Sequence, residues 1–263
     1  MQTLSAVIIT QDEERNIARC LDSLRDLADE IIVVDSGSTD RTETICRQYG
    51  CRLGTKFVHH QWVNYSDQKN FANSLASGDW ILSIDADEAI SLELNANIRA
   101  IKTIEHPANT VFSINRLTNY CGHWVHHCGW YPDRKIRIWQ RGQAEWFGTV
   151  HEELHLPDNA TVQQLDGDLL HYSYYTIDEH RTRTTKYAKL MARQRFENGL
   201  SCSRLDIILK PLWAFVRTLL LQGGILDGWA GWQIAKVTAN YTRTKYSELY
   251  TLYHQNETST NKK

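Results

Sequence analysis

The sequence is short of the usual phosphate-binding devices. No G-x-G-x-x-G follows its first apolar run, and no Walker-type loop occurs in its 263 residues, which argues against dinucleotide-binding and P-loop architectures. Its six cysteines include no C-x-x-C pair, so they are expected as buried, reduced thiols. Four prolines and no long polar tract argue against extended disorder. Lysine and arginine total 29 against 31 acids, a net charge of -2, without the basic surplus of a nucleic-acid binder. The first ten residues lack a basic start and a cleavage site, and acids follow at once, so the expected compartment is a reducing cytosol. What is present is an ordinary globular composition, 42% hydrophobic and 23% charged, enough for one large domain or one and a half.

The stretch Asp79 to Glu88 organises the rest. An apolar run, Trp80 to Ile84, has the length of a buried strand and drives into Asp85, Asp87 and Glu88. Ligands of open α/β sheets sit at the carboxyl ends of strands. Two carboxylates there, separated only by Ala86, can share one hard cation, Mg²⁺ or Mn²⁺, with phosphate oxygens completing its shell. Before it come Leu4 to Ile9 as a buried parallel strand and a helix opened by Gln11 to Asn16, with acids in its first turn. That helix has an apolar face of Ile17, Cys20, Leu21, Leu24 and Leu27. Glu30 to Val34 reads as a strand. The turn Asp35-Ser36-Gly37-Ser38-Thr39-Asp40 can cap the next helix, Cys51 to Phe57 reads as a third strand, and Ser66 to Ala76 as a helix stopped by Gly78. Alternating strands and helices predict a parallel or mixed sheet covered on both faces. On its own, Asp35-Ser36-Gly37-Ser38 is a polar turn carrying an acid, though an acid at a strand end is well placed to accept an N–H from a pyrimidine.

Four motifs in order, Thr10-Gln11-Asp12-Glu13-Glu14, Val33 to Asp40, Gln68-Lys69-Asn70 and Asp85-Ala86-Asp87-Glu88, resemble those of the family-2 glycosyltransferases. These are inverting, nucleotide-sugar-dependent enzymes of GT-A fold. The resemblance implies that Thr10, Glu13 and Asp35 contact the nucleoside. It places Lys69 near the phosphates and makes Asp85 and Asp87 the D-x-D metal and ribose contacts. Asp12 stands where relatives often carry Asn.

The second half should set specificity. Val111 to Leu117 alternates as a strand. The segment Asn119 to Pro132 holds two cysteines and three histidines within eight residues, but their spacing matches no common zinc finger. Trp124, Trp130 and Tyr131 instead offer the flat faces and polar rims that sugar rings require, so they are candidate acceptor contacts. Lys135 to Trp139 alternates charge with apolar residues, as a half-buried strand whose basic side is a solvated edge or meets an anionic acceptor. In the resembled subgroup a His followed by an acid occurs at His151-Glu152-Glu153. An inverting transfer needs one carboxylate to take the acceptor proton, so Glu152 is the candidate base and Glu153 its competitor. A hard-metal site with two acids often recruits a further ligand, for which His171 is preferred over His151.

Ile177 to Asn198 reads as a basic helix with six cations, ended by Gly199. Leu205 to Leu221 is the most apolar segment, but Pro211 and three charges make it a poor membrane-spanning helix. It either packs in the core or lies in the interface of an anionic membrane. Ala230 to Tyr253 reads as a last helix. Lys210-Pro211-Leu212, Gly224 to Gly228 and the Trp-rich loop resemble bacterial lipopolysaccharide core β-1,4-glucosyltransferases, enzymes that act on lipid-linked acceptors. The expected organisation is a GT-A domain over 1–175, its nucleotide-sugar half 1–103 and acceptor half 104–175, then a helical region over 176–263. The expected activity is hexose transfer from a nucleotide-sugar, a UDP-sugar first, to a hydroxyl of a lipid-linked or cell-envelope glycan, at the inner face of the cytoplasmic membrane. A metal-dependent nucleotidyltransferase is the alternative enzyme, but the glycine-free Gln11 to Asn16 is the wrong loop for it. A non-catalytic sugar-binding module is the alternative outside enzymology.

Overall fold

A computed structural model describes residues 1–53, 55–148 and 152–260. The chain divides into two units, Met1–Leu117 with Asp133–Tyr172, and Thr118–Pro132 with Ser173–Lys263. In chain order the elements begin β1 (Leu4–Thr10), α1 (Ile17–Leu24), β2 (Glu30–Asp35), α2 (Thr42–Leu53), β3 (Lys56–His59), α3 (Tyr65–Ser74) and β4 (Trp80–Asp85). Then follow β5 (Glu88–Ile90), α4 (Leu92–Ile101), β6 (Thr110–Tyr120), β7 (His123–Val125), β8 (Asp133–Gln140), β9 (Glu145–Phe147), β10 (Glu153–His155) and β11 (Thr161–Tyr174). The last helices are α5 (Ile177–Glu197), α6 (Arg204–Val216) and α7 (Gly228–Thr260).

The sheet runs β3-β2-β1-β4-β8-β6-β11-β5, with β7 on β6 and a separate β9-β10 hairpin pair. The first four strands are parallel, and β8 joins β4 antiparallel. This is the mixed α/β sheet the alternation predicted. The strand period of two sends β1 into two cores. Leu4, Ala6 and Ile8 pack with the fully buried stripe Ile17, Cys20, Leu21 and Leu24 of α1, while Val7 packs with Ala72 and Ala76 on the other side. Side-chain caps fix the helix starts: Asn64 accepts from the Asp67 N–H and Ser91 from that of Leu94.

Three local expectations change. Gln11 to Asn16 is a turn, and α1 begins at Ile17 without acids in its first turn. Asp12 takes a left-handed φ of 53°, which a helix interior cannot accept. The third strand is Lys56–His59, because α2 runs on to Leu53. Lys135 to Trp139 is not an edge: β8 lies between β4 and β6, and one of its charged side chains, Arg137, is drawn inside.

The second unit is built on α7. Both α5 and α6 pack against it, and Tyr120, Val125 and Cys128 close a core with Ala230 and Ile234. A Cβ on Gly231 would fall 1.7 Å from the Gly224 carbonyl oxygen, so only glycine lets α7 approach the preceding turn. Capping boxes start α5 at Thr176 and Glu179, and α6 at Ser203 and Asp206. The apolar segment 205–221 does not form the core. Within α6 only Pro211 is buried, and most of its large apolar side chains are exposed. Among the described residues no helix is long and apolar enough to cross a membrane.

Candidate functional site

The carboxyl ends of β1 and β4 open on a cleft of about 330 Å³ in the first unit. Thr10, Glu13, Lys69, Asp85, Ala86, Asp87, Glu152 and His171 all line it. Eight of the positions singled out in the sequence therefore share one concavity, although they come from five separate segments. Asp35 stands behind the wall, fully buried, while its neighbour Ser36 lines the cleft. Trp124, Trp130 and Tyr131 belong to the second unit. His151 lies outside the described residues, and Glu153 is exposed on β10.

The loops after β1 and β2 are laced together. The Asp12 carboxylate accepts the Thr39 N–H at 2.7 Å, and the Glu13 N–H donates to Thr42 Oγ1 at 2.8 Å. The Glu14 N–H donates to Asp40 at 3.0 Å. Asp35 accepts the N–H groups of Gly37 and Ser38, both at 2.9 Å, and the Ser38 hydroxyl. That turn needs Gly37 at φ 100°, a conformation that side chains resist. Thr10 Oγ1 is buried with no hydrogen-bond partner among the described residues. Buried hydroxyls are usually partnered, and this one belongs to a residue that lines the cleft.

The acids are held by cations. Arg137 of β8 is buried and donates to Asp85 Oδ2 at 2.9 Å and Glu88 Oε1 at 2.8 Å. Glu88 also accepts the Asp85 N–H at 2.9 Å. Lys69 of α3 puts its ammonium 3.7 Å from Asp85 and 3.3 Å from Glu152, and 4.4 Å above the Trp146 ring. Burial alone would raise the Asp85 pKa, but Arg137 and Lys69 hold it well below the usual carboxylate range. Burial pushes the Glu88 carboxyl up, against the pull of Arg137. Asn70 grips the backbone of Trp146 through both amide atoms, each at 2.8 Å, and Ser66 donates to the Gly148 carbonyl. The Gln68-Lys69-Asn70 motif thus ties α3 to the segment that leads towards Glu152.

Asp87 faces differently. Its Oδ2 lies 3.2 Å from His171 Nε2, and its backbone oxygen accepts the Tyr172 N–H at 2.9 Å. Pairing β11 with β5 sets His171 opposite Glu88 and brings it to that spot. Among the described residues no three His, Cys, Asp or Glu side chains form a ready cage for a metal. A carboxylate and an imidazole side by side do fit a hard cation that takes its remaining ligands from phosphate oxygens and water. Arg137, Trp62 and Tyr65 were missed by sequence reasoning. Arg137 alternates with Ile136 and Ile138 as a basic surface strand would, and parity alone does not say which side is inside. Trp62, in the loop before α3, and Tyr65, the first residue of α3, meet edge to face at 4.8 Å on the rim of the cleft, where no periodicity marks them.

The carboxyl ends of β1 and β4 thus gather two acids, a buried lysine and a third carboxylate in one cleft. The chain belongs to glycosyl transferase family 2, whose model matches residues 5–151, and it is accordingly a glycosyltransferase. It is similar to the lipopolysaccharide core biosynthesis glycosyltransferase LpsC of Rhizobium meliloti, 29% identical over 255 residues, which cover 94% of this chain and 92% of that one. An uncharacterized glycosyltransferase of Rickettsia typhi is 28% identical over 240 residues, 88% of this chain and 81% of its own. The mannosyltransferase PcManGT of Pyrobaculum calidifontis, solved with GDP-mannose and Mn²⁺, overlays with a TM-score of 0.53 at 14% identity, over 94% of this chain and 87% of that one. At that identity the overlay speaks to the GT-A fold alone.

Proposed function

We propose that the chain transfers a hexose from a UDP-sugar, with inversion, to a hydroxyl of a membrane-carried cell-envelope glycan. The supporting observation is the convergence of Glu152, Lys69, Asp85, Asp87 and His171 on one cleft. The name of the LpsC relative adds the acceptor class, a lipopolysaccharide core. In this reading residues 1–103 bind the donor, 104–175 the acceptor, with Trp124, Trp130 and Tyr131 as sugar contacts.

Thr10, Glu13 and Asp35 serve the nucleoside, Thr10 through its unpartnered hydroxyl. Asp85, already neutralised by Arg137, suits a ribose hydroxyl better than a metal, because its charge is spent. Asp87 and His171 would hold the Mg²⁺ or Mn²⁺, with Asp85 adjoining. When bound, such a cation supplies positive charge to the diphosphate. Glu152 takes the proton of the acceptor hydroxyl as that oxygen attacks the anomeric carbon, and a single displacement inverts the centre. Lys69, between Glu152 and Asp85, orients the Glu152 carboxylate by pairing with it and adds a positive charge on the phosphate side.

Release of UDP from UDP-hexoses in the presence of Mn²⁺ tests this directly. Wild type should hydrolyse donor slowly, and faster with a core oligosaccharide acceptor. Glu152→Gln should lose at least about a hundredfold in turnover while nucleotide affinity stays within about twofold. Undiminished turnover in that variant would remove Glu152 as the base. Release of pyrophosphate from a nucleoside triphosphate would mean the nucleotidyltransferase reading.

A further inference from the structure

The second unit turns many large apolar side chains outwards. On α6, Leu205, Ile208, Leu209, Leu212 and Trp213 are each more than half exposed. At about 100° per residue they fall within an arc of about 140°, on the side of the helix away from buried Pro211. The turn between α6 and α7 exposes Ile225 and Leu226, the latter at 72%, and the first turn of α7 exposes Trp229. A soluble monomer normally scatters such residues singly.

Charge identifies the occupant. Residues 177–247 carry twelve lysines and arginines against five acids, whereas the whole chain is net negative. Beside the apolar arc, Lys210 and Arg217 are exposed on one flank of the stripe. The acids nearest in sequence are already engaged. Asp206 closes the capping box of α6, and Asp227 is buried, accepting the N–H groups of His126 and His127 at 3.2 and 2.9 Å. An apolar stripe with snorkelling cations and no free acid beside it matches the boundary between acyl chains and anionic headgroups. A second copy of the chain fits less well, because a two-fold contact would set Lys210 and Arg217 against their own like charges.

We infer that the outward face of α6 and the turn before α7 docks the enzyme on an anionic lipid monolayer, lying in the interface without crossing it. The inference rests on the reading of a membrane-carried acceptor only for its purpose. Vesicle binding needs neither donor nor acceptor, so it can fail while UDP release succeeds, and the reverse.

The experiment uses the full chain with phosphatidylcholine vesicles, with and without roughly 30% phosphatidylglycerol. Wild type should co-sediment with the anionic vesicles and lose binding as salt rises. Lipids brominated near the headgroup should quench its tryptophan fluorescence, and less so in Trp213→Phe. The triple variant Leu209→Ser, Leu212→Ser, Leu226→Ser should bind at least about tenfold more weakly, with its Tm within about 2 °C of wild type because those side chains are already in water. No binding by wild type, or undiminished binding by a folded triple variant, would overturn the inference. So would a concentration-dependent dimer that the triple variant abolishes, without any binding to lipid; the face would then be a self-association surface.

Discussion

The two units break the usual rule of burial in opposite directions. The first puts charge inside: Asp35, Glu88, Arg137 and Lys69 are all buried. The second puts large apolar side chains outside, from Leu205 to Trp229. Buried charge is costly unless paired and hydrogen-bonded, and here each buried group has partners. What that cost secures is a fixed arrangement of acids and cations, and on the proposed function that arrangement stands ready before a nucleotide arrives. Exposed apolar surface secures nothing within the chain and makes sense only against something outside it. On the readings proposed above, one unit is preorganised for a small polar ligand and the other for an extended apolar surface.

The largest expected effect lies in the first unit. Arg137→Met removes the cation from between two carboxylates, one of them the fully buried Glu88. Uncompensated buried charge typically costs about 3–5 kcal/mol. Urea unfolding should show a loss of that order, and nucleotide binding should weaken as Asp85 loses its anchor. Adding Glu88→Gln should restore part of the stability, since it removes the charge left alone. A single variant as mild as a surface substitution would dissolve the contrast between the units.

How legible was this arrangement before the fold was seen? The sheet was, because buried parallel strands such as Leu4 to Ile9 and Trp80 to Ile84 are short apolar runs, the second of them leading into acids. The stripe of α1 was, because four residues at helical spacing have one consistent interpretation. The start of α1 was not: Gln11 to Asn16 has the composition of a helix N-terminus, and contacts of Asp12, Glu13 and Glu14 with residues 38–42, distant in sequence, help hold it as a turn. Arg137 was not legible either. Its inward direction follows from β8 lying between β4 and β6, a long-range pairing that alternation along one strand does not contain. The apolar segment 205–221 had two readings because periodicity reports that a face is apolar, not whether something covers it.

A middle-sized effect belongs to the second unit and to acid. His180 is buried beside Tyr120, with a 3.2 Å contact between its Nδ1 and the Tyr120 hydroxyl, and it packs among Tyr174 and Trp130. Burial, reinforced by the positive charge of Arg183, lowers its pKa to about 4. The folded pKa is depressed below the ordinary histidine value of 6.5, so the unfolded chain binds a proton first as pH falls. The stability tied to neutral His180 is complete above pH 6.5 and is lost as pH falls through about 4, with a slope of at most about 1.4 kcal/mol per pH unit. His180→Gln should be less stable at neutral pH but should flatten that slope in denaturation curves taken between those limits. An unchanged slope would move the titration to another group.

The smallest effect sharpens the comparison from the other side. Asp12 sits beside the cleft and carries a charge, yet its observed work is to accept hydrogen bonds from the Thr39 N–H and hydroxyl. An amide oxygen accepts the same two bonds, and asparagine tolerates the left-handed φ of 53° at least as well. Asp12→Asn should therefore change stability by no more than about 0.5 kcal/mol, and the KM for donor by no more than about twofold, read by thermal denaturation and UDP release. If donor binding collapsed instead, the Asp12 carboxylate would itself be touching ligand. The polar contacts of the first unit would then divide differently, with charge at the loop tips used on the nucleotide as well as charge in the sheet. A neutral result would confine the functional charges to the sheet and α3, where burial holds them still.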